Sequence, residues 1–312
     1  RRSDSFSPAE RAAAGHTLAR LGDPRFHKEM LCLPNEPLLG FVEIPAGPFI
    51  MGEPAREQVV TLPGFYMSRF PVTVGQFRAF VADRGMGPGE PRLRVVPGNF
   101  PLGGVSWMRA LEYCNWLNKK LVNWEHTPQP LADLLRREAS DGPYWRVTLP
   151  SEAEWEKACR GGLLIPATQP GESANALRTL VENPWPRRIY PWGNEAEANC
   201  ANFDSTAIGS PSPVGCFPQG ASPYGVEDLS GNIWEWTRTL WGRNVAVPDY
   251  AKPYDPRDGR ERWLAPANIF RVLRGGAFYN SADQITCTAL ERNYPDLWIS
   301  HIGFRLVLRP SI

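Results

Sequence analysis

Proline and glycine are spread so densely through this chain that they leave room for few long helices. The 312 residues include 32 Pro and 28 Gly. Proline interrupts helices and interior strands, and glycine weakens both, so we expect much loop and short strands. Twelve Trp accompany them, and large aromatic side chains can hold irregular backbone in place. The pattern predicts a single α+β domain with two or three helices.

Charge and apolar patterning exclude several classes of function. The net charge is +1, which gives no electrostatic basis for binding nucleic acid or membrane surfaces. No apolar run approaches the ~18 residues of a membrane span, and residues 1–5 do not resemble a signal peptide. The six cysteines are scattered without a Cys-x-x-Cys pair (32, 114, 159, 200, 216 and 287). We therefore expect buried thiols in a cytoplasmic protein rather than a disulfide framework.

Capping signals predict the helices. Ser7, Pro8 and Glu10 form the start of a helix that Gly22 ends. We interpret residues 1–37 as a helical appendage, or as a linker to a further N-terminal effector domain, and residues 38–312 as the main domain. Further helices are predicted over 73–81, 106–117 and 151–160. A bent strand pair is predicted over 41–52, strands over 59–66, 233–237 and 271–273, and the end of a strand at 147–151. Residues 121–145 and 163–188 are predicted to be loop insertions. Beyond residue 190 no helix is predicted.

The C-terminal part has a regular frame around an irregular tract. Arg271-Val-Leu-Arg-Gly-Gly-Ala-Phe278 and Ile302-Gly-Phe-Arg-Leu306 read as apolar strand segments, and Gly275-Gly276 permits a tight backbone path. The tract between them is polar and aromatic and follows neither a helical nor a strand period. Irregular loops on a rigid scaffold are typical of recognition sites.

Several phrases, taken in order, resemble one known family. They are Gly40-Phe-Val-Glu-Ile-Pro-Ala-Gly-Pro-Phe-Ile-Met-Gly52, Gly104-Val-Ser-Trp107, Arg146-Val-Thr-Leu-Pro-Ser-Glu-Ala-Glu-Trp-Glu156, Tyr190-Pro-Trp-Gly193, Asp228-Leu-Ser-Gly-Asn-Ile-Trp-Glu-Trp236 and the C-terminal frame. They are similar to the formylglycine-generating-enzyme (sulfatase-modifying factor) family over about residues 38–309. The resemblance implies an α+β domain with the C-type lectin fold in its formylglycine-generating-enzyme variant.

The metal ligands of the family's enzymes have no counterparts here. In its oxidases, two cysteines that bind copper follow the Phe of the Gly-Gly phrase by two and seven positions. Those positions hold Asn280 and Ile285, which offer no soft sulfur for Cu(I); Cys287 is interpreted as alone. The related sulfoxide synthases use a histidine cluster, whereas the four His here (16, 27, 126 and 301) have no ligand spacing. The sequence therefore predicts a protein that is not an enzyme.

A second branch of the family fits the frame better, namely the variable proteins of diversity-generating retroelements. In those proteins the tract between the two framing phrases is diversified and contacts the ligand. The resemblance implies a non-catalytic binding protein for an unknown protein or glycan, with 271–306 as the candidate variable segment. The alternative is a formylglycine-generating-enzyme-like oxidoreductase, or another enzyme, that uses the same pocket. The predicted ligand-binding residues are Tyr279, Asn280, Ser281, Gln284, Ala289, Glu291, Asn293, Tyr294, Leu297, Trp298, Ile299, Ser300 and His301.

Three residues of this tract are predicted to pack inside the protein rather than to contact ligand: Ile285, Cys287 and Pro295. Trp234 and Trp236 are interpreted as core or pocket-wall residues, since both lie on one face of a strand. Glu152, Glu154 and Glu156 form no catalytic pair, and the helix macrodipole accounts for the first two.

The resemblance also implies a calcium site. Asp228 and Glu235 would supply carboxylates, and Gly231 and Ile233 would supply backbone carbonyls. Hard oxygen ligands suit Ca²⁺. The alternative is that Glu235 accepts hydrogen bonds from nearby loops and Asp228 caps a turn. We expect no required cofactor, with a structural Ca²⁺ as the one predicted ion.

Overall fold

The computed structural model describes residues 6–85, 91–137, 140, 142–167, 179–250 and 253–311. Its α-helices all lie between residues 8 and 160: α1 Pro8–Leu21, α2 Val74–Asp83, α3 Pro91–Val95, α4 Trp107–Asn123, α5 Gln129–Leu135 and α6 Glu152–Arg160. Beyond residue 190 the described residues form no α-helix, as predicted, and their only helical elements are short 3₁₀ turns. The interpretation of residues 121–145 as loop is wrong in part, because α4 continues to Asn123 and α5 follows it.

The strands are three to nine residues long. They are β1 Phe41–Ile44, β2 Gly47–Met51, β3 Gln58–Leu62, β4 Phe65–Ser68, β5 Trp145–Thr148, β6 Leu164–Pro166, β7 Leu180–Glu182, β8 Trp234–Gly242, β9 Phe270–Arg274, β10 Leu290–Asn293, β11 Ile302–Phe304 and β12 Val307–Pro310. The predicted strand pair over 41–52 is present as β1 and β2, which belong to different sheets.

Two four-stranded sheets organise the domain, and the C-terminal strands join both. One sheet has the order β1-β4-β12-β5 and the other β10-β9-β8-β11. β11 runs parallel to β8, with Ile302 opposite Trp234. β12 then lies antiparallel between β4 and β5. β12, near the end of the chain, therefore lies in the same sheet as β1, near its beginning. Two further sheets have two strands each, β2 with β3 and β6 with β7.

Capping boxes begin three of the helices, as the sequence indicates for two of them. Ser7, Thr73 and Ser151 each accept a hydrogen bond from the third helical residue, whose side chain in turn accepts one from the cap's backbone N–H. Each box satisfies two backbone donors at a helix start. α6 ends at Gly161, which has a φ of 89°.

An aromatic cluster fills the largest part of the core. Phe77 and Phe80 of α2 meet Tyr113 and Trp116 of α4, with ring centroids 5.2–5.9 Å apart. Phe304 of β11 packs edge-on to Tyr113 at 5.5 Å. The C-terminal frame is therefore part of the main core.

The N-terminal helix packs on the domain. Gly15 faces Pro213 and Cys216, where an added Cβ would lie 3.0 Å from both side chains. The Asn99 side chain donates to the Gly15 carbonyl at 2.9 Å. No helix in the described ranges has both the length and the apolar character that a membrane crossing requires.

Candidate functional site

The first framing phrase is fixed by glycine conformation and a buried arginine. Gly275 and Gly276 have φ angles of 101° and 79°, which disfavour any side chain. A Cβ on Gly276 would also lie 2.6 Å from the Gln284 carbonyl oxygen. Arg274 donates to Glu156 at 2.5 Å and to the Cys287 carbonyl at 2.9 Å. The tract therefore leaves β9 along a single backbone path.

The second framing phrase is fixed by Arg305. This side chain is fully buried and donates to both carboxylate oxygens of Glu235, at 2.6 and 2.7 Å. It also donates to the carbonyls of Ser68, Arg69, Glu227 and Asp228. One guanidinium thus holds three loops and both sheets together around the base of the tract.

Between the two phrases the tract surrounds a cleft of about 440 Å³. Seven of the thirteen predicted ligand-binding residues line it: Tyr279, Asn280, Gln284, Ala289, Glu291, Asn293 and His301. Residues up to 22 positions apart in the sequence therefore share one concave surface. A cleft with a few converging polar groups is the usual form of a ligand site.

The other six predicted residues lie outside this lining. Ser281 caps the 3₁₀ turn Ala282–Gln284. Tyr294 stacks on Phe270 with ring centroids 4.0 Å apart, and Ile299 packs against the main core. Leu297, Trp298 and Ser300 are exposed.

Two of the seven lining residues are largely structural. Asn280 is buried, and its side chain accepts a hydrogen bond from the Ala277 N–H and donates to Gln284. Ala289 belongs to the core cluster. Both form the floor of the cleft rather than its accessible wall. Ile285, Cys287 and Pro295 are buried, as predicted.

The cleft is acidic. Glu53, Asp283 and Glu291 line it, and no Lys or Arg is found among the described lining residues. Burial lowers the pKa of His301 below its usual value, so the imidazole is neutral near pH 7. Its ring meets Tyr279 edge-on at 4.7 Å. The lining therefore favours a ligand with positive charge over one with negative charge.

Sequence reasoning missed several of the lining residues. Glu53 follows β2, more than 220 positions before the tract, and Asp283 and Thr286 lie within it. Nothing in the local sequence of Glu53 points to a site, because its place depends on long-range packing. Trp234 lines the cleft and Trp236 is fully buried, which agrees with their interpretation as pocket-wall and core residues.

Two of the four residues predicted to bind Ca²⁺, Glu235 and Asp228, already have hydrogen-bond partners within the protein. Glu235 already accepts hydrogen bonds from Arg305 and, at 2.7 Å, from the Trp155 indole. Asp228 accepts one from the Gly215 N–H, and Gly231 and Ile233 lie on the turn between them. A guanidinium thus supplies the positive charge that Glu235 needs. Within the described ranges no three His, Cys, Asp or Glu residues gather as a metal site. Calcium stays a prediction.

The family's copper site does not fit this chain, because Asn280 and Ile285 occupy the two ligand positions. The interpretation of Cys287 as alone is nevertheless wrong. Its sulfur lies 3.0 Å from that of Cys159 on α6, and both residues are fully buried. Neither lines the cleft.

The glutamates of α6 have a role that the helix macrodipole does not explain. Glu154 accepts from Arg238 at 2.5 Å and from Arg309 at 2.7 Å, and these cations hold its pKa at about 2 against the effect of burial. Glu156 pairs with Arg274 and Arg160. α6 is therefore attached to both sheets through buried ion pairs.

A family model described as the sulfatase-modifying factor enzyme 1-like domain matches residues 29–310, and the chain belongs to this family. The formylglycine-generating enzyme of Mus musculus is 27% identical, over 86% of this chain and 74% of its own. The hercynine oxygenase of Mycolicibacterium smegmatis is 30% identical, over 76% of this chain and 54% of its own.

Among solved structures, Treponema denticola variable protein 1 superposes with a TM-score of 0.57 at 24% identity, covering 86% of this chain and 95% of that one. The fold is the predicted one, an α+β domain of the C-type lectin type in its formylglycine-generating-enzyme variant.

The prediction that the chain is not an enzyme is contradicted by these relatives. Two differently named enzymes match three quarters or more of it, so it lies within a family of enzymes. The absence of the copper cysteines removes one set of metal ligands, and it does not separate this chain from catalytic relatives.

Proposed function

We propose that this member of the family recognises a protein or glycan ligand in the cleft lined by the tract 279–301, and that the ligand presents a positively charged group there. The observation that carries the proposal is the convergence of seven predicted positions on one acidic cleft. We further propose that these positions vary between sibling copies of the gene, as in retroelement variable proteins.

The accessible wall of the cleft has the chemistry of an adaptable binding surface. Tyr279 is 47% exposed, and tyrosine supplies contact area at a low cost in side-chain entropy. Gln284 and Asn293 offer both donors and acceptors. Glu291 and Glu53 supply negative charge, and the buried framing arginines keep the backbone fixed while these side chains change.

A library of immobilised peptides that contains acidic, neutral and basic sequences tests the proposal. We expect the wild-type protein to retain basic peptides and Tyr279→Ala to bind them at least tenfold more weakly. Trp263→Ala is the matched control, because Trp263 is similarly exposed and lies outside the cleft. Equal binding by wild type and Tyr279→Ala would overturn the proposal, as would selection of acidic peptides.

The enzyme names of the relatives favour a second proposal, catalysis in the same cleft. Neutral His301 beside Tyr279 is able to accept a proton from a bound ligand. Mass spectrometry of a retained ligand before and after incubation separates the two proposals. An unchanged ligand mass would support recognition without catalysis. A mass change in the wild type that is absent in His301→Gln would support catalysis.

A further inference from the structure

A second cavity, of about 430 Å³, lies next to the cleft, and Leu290 borders both. Its walls come from α6, the end of β8 and the segment that follows β8. Leu240, Trp241 and Val272 form an apolar side, and Glu152 supplies a carboxylate. The cavity is separate from the predicted recognition tract except at Leu290.

Glu152 differs from the other glutamates of α6 because its carboxylate accepts no hydrogen bond from the described residues and forms only a long ion pair, with Arg260 at 3.8 Å. By contrast, Glu154 and Glu156 each contact two arginines. Glu152 is 8% exposed, and its backbone N–H donates to Thr239 at 2.9 Å. A buried carboxylate that accepts no hydrogen bond is costly, so a ligand that donates hydrogen bonds to it is favoured.

Arg260 does not donate a hydrogen bond to the Glu152 carboxylate. Its guanidinium is already engaged by Asp258, with contacts of 2.6 and 3.0 Å. Its charge is therefore balanced by a carboxylate closer than Glu152. Arg56 also borders the cavity but is an exposed residue and is stabilised by solvent. Burial accordingly raises the pKa of Glu152 to about 6, which still leaves it ionised for the most part near neutral pH.

We infer that this cavity is a second binding site, for a small organic amine whose ammonium group pairs with Glu152 and whose hydrocarbon part lies against Trp241, Leu240 and Val272. An ammonium group supplies the missing hydrogen-bond donors and the opposite charge. The apolar wall favours an aromatic or aliphatic body. An anionic ligand would place two like charges together in a poorly solvated space.

Benzylamine is a suitable probe, measured by calorimetry on the full chain. We expect wild type and Glu43→Gln, an exposed position that lines neither cavity, to bind it equally, and Glu152→Gln to bind at least tenfold more weakly. Glu291→Gln reports any amine that binds in the first cleft instead. Benzyl alcohol, which needs only the apolar wall, should bind wild type and Glu152→Gln alike and so report an intact cavity in the variant.

Three results would overturn the inference. The first is equal benzylamine affinity in wild type and Glu152→Gln, and the second is weaker binding in Glu291→Gln than in Glu152→Gln. The third is equal weakening of amine and alcohol in Glu152→Gln, which would remove the charge pairing from the explanation. The comparison of Glu291→Gln with Glu152→Gln separates amine bound in the first cleft from amine bound beside Glu152, so failure of this inference is distinguishable from failure of the proposed function.

Discussion

At the scale of single residues, the buried contacts of two arginines explain why each framing phrase contains an Arg. Arg305 and Arg274 each connect a carboxylate with backbone carbonyls from other elements. Such pairs are weak evidence for net stability, since desolvation offsets the attraction, but breaking one leaves a buried charge without compensation.

Replacing Arg305 with methionine should therefore be severely destabilising. We expect a loss of about 3–5 kcal/mol in the free energy of unfolding, because Glu235 and several carbonyls lose their partner. Denaturant unfolding measures the loss. The matched control is Arg243→Met, whose pair with Asp249 is largely exposed and should contribute about 0–1 kcal/mol. Equal losses in the two variants would contradict the role given to Arg305.

The raised pKa of Glu227 should make the stability of the protein depend on pH. Burial raises the folded-state pKa of Glu227 from 4.5 to about 7, so the folded protein binds this proton more tightly than the unfolded chain. The contribution to stability is complete below about pH 4.5 and is lost as the pH rises through 7. Glu227→Gln should therefore be more stable than wild type at about pH 8, by up to about 3 kcal/mol.

Unfolding curves of wild type and Glu227→Gln across this pH range test the sign, with Glu43→Gln as an exposed control. The advantage of Glu227→Gln should shrink as the pH falls below 7. An advantage that instead grows at low pH would mean that the folded-state pKa is lowered.

Residues differ in how far the sequence predicts their place. The predicted ligand residues were chosen by position in a framed tract, and seven of them do share a cleft. Asn280 and Ala289 were predicted to contact ligand but form the floor of the cleft. The sequence of an irregular loop does not show which of its side chains point into the protein and which point outward. Glu53 and Glu152 were not predicted as site residues, since burial and missing partners depend on distant segments.

At the scale of elements, the tract and α6 are joined by more than one contact. Arg274 bridges them through Glu156, and the sulfurs of Cys159 and Cys287 lie 3.0 Å apart. Helix starts such as those of α1 and α6 are predictable because their caps are local. Strand pairing such as β12 between β4 and β5 is not, because it joins segments far apart in the chain.

Oxidation should close the sulfur pair into a disulfide. Because both thiols are buried, we expect the reaction during refolding with oxidised glutathione, which takes up the two electrons and protons. Titration of the denatured protein should then find two fewer thiols than the six present, and a loop of 128 residues should add about 4–5 kcal/mol of stability. Cys287→Ser is the control. A full set of six thiols, or a different linked pair, would contradict this arrangement.

Exposed aromatic residues of the tract should contribute little to stability. Tyr279→Ala and Trp298→Ala should each change the free energy of unfolding by about 0.5 kcal/mol or less, as for other exposed positions. Tyr294→Ala should cost about 1 kcal/mol because its ring stacks on Phe270. Thermal melting of the single and triple variants measures these effects. A large drop in melting temperature for Tyr279→Ala would show that the Tyr279 ring stabilises the fold and would contradict its role as an exposed ligand contact.

At the scale of the whole molecule, the buried C-terminal frame is distinct from the cleft that lies on the tract between its strands. The C-terminal strands enter both sheets, and buried ion pairs attach them to α6 and to the loops around Glu235. We propose that this frame allows the exposed cleft side chains, such as Tyr279 and Glu291, to change without disturbing the core.

Sequencing sibling copies of this gene tests that separation most directly, and it needs no knowledge of the ligand. We expect differences to concentrate at accessible cleft positions such as Tyr279, Glu291 and His301, while Arg274, Gly276 and Arg305 stay constant. Variation in the tract no greater than in the rest of the chain would contradict a diversified recognition surface and would favour a fixed function for the cleft.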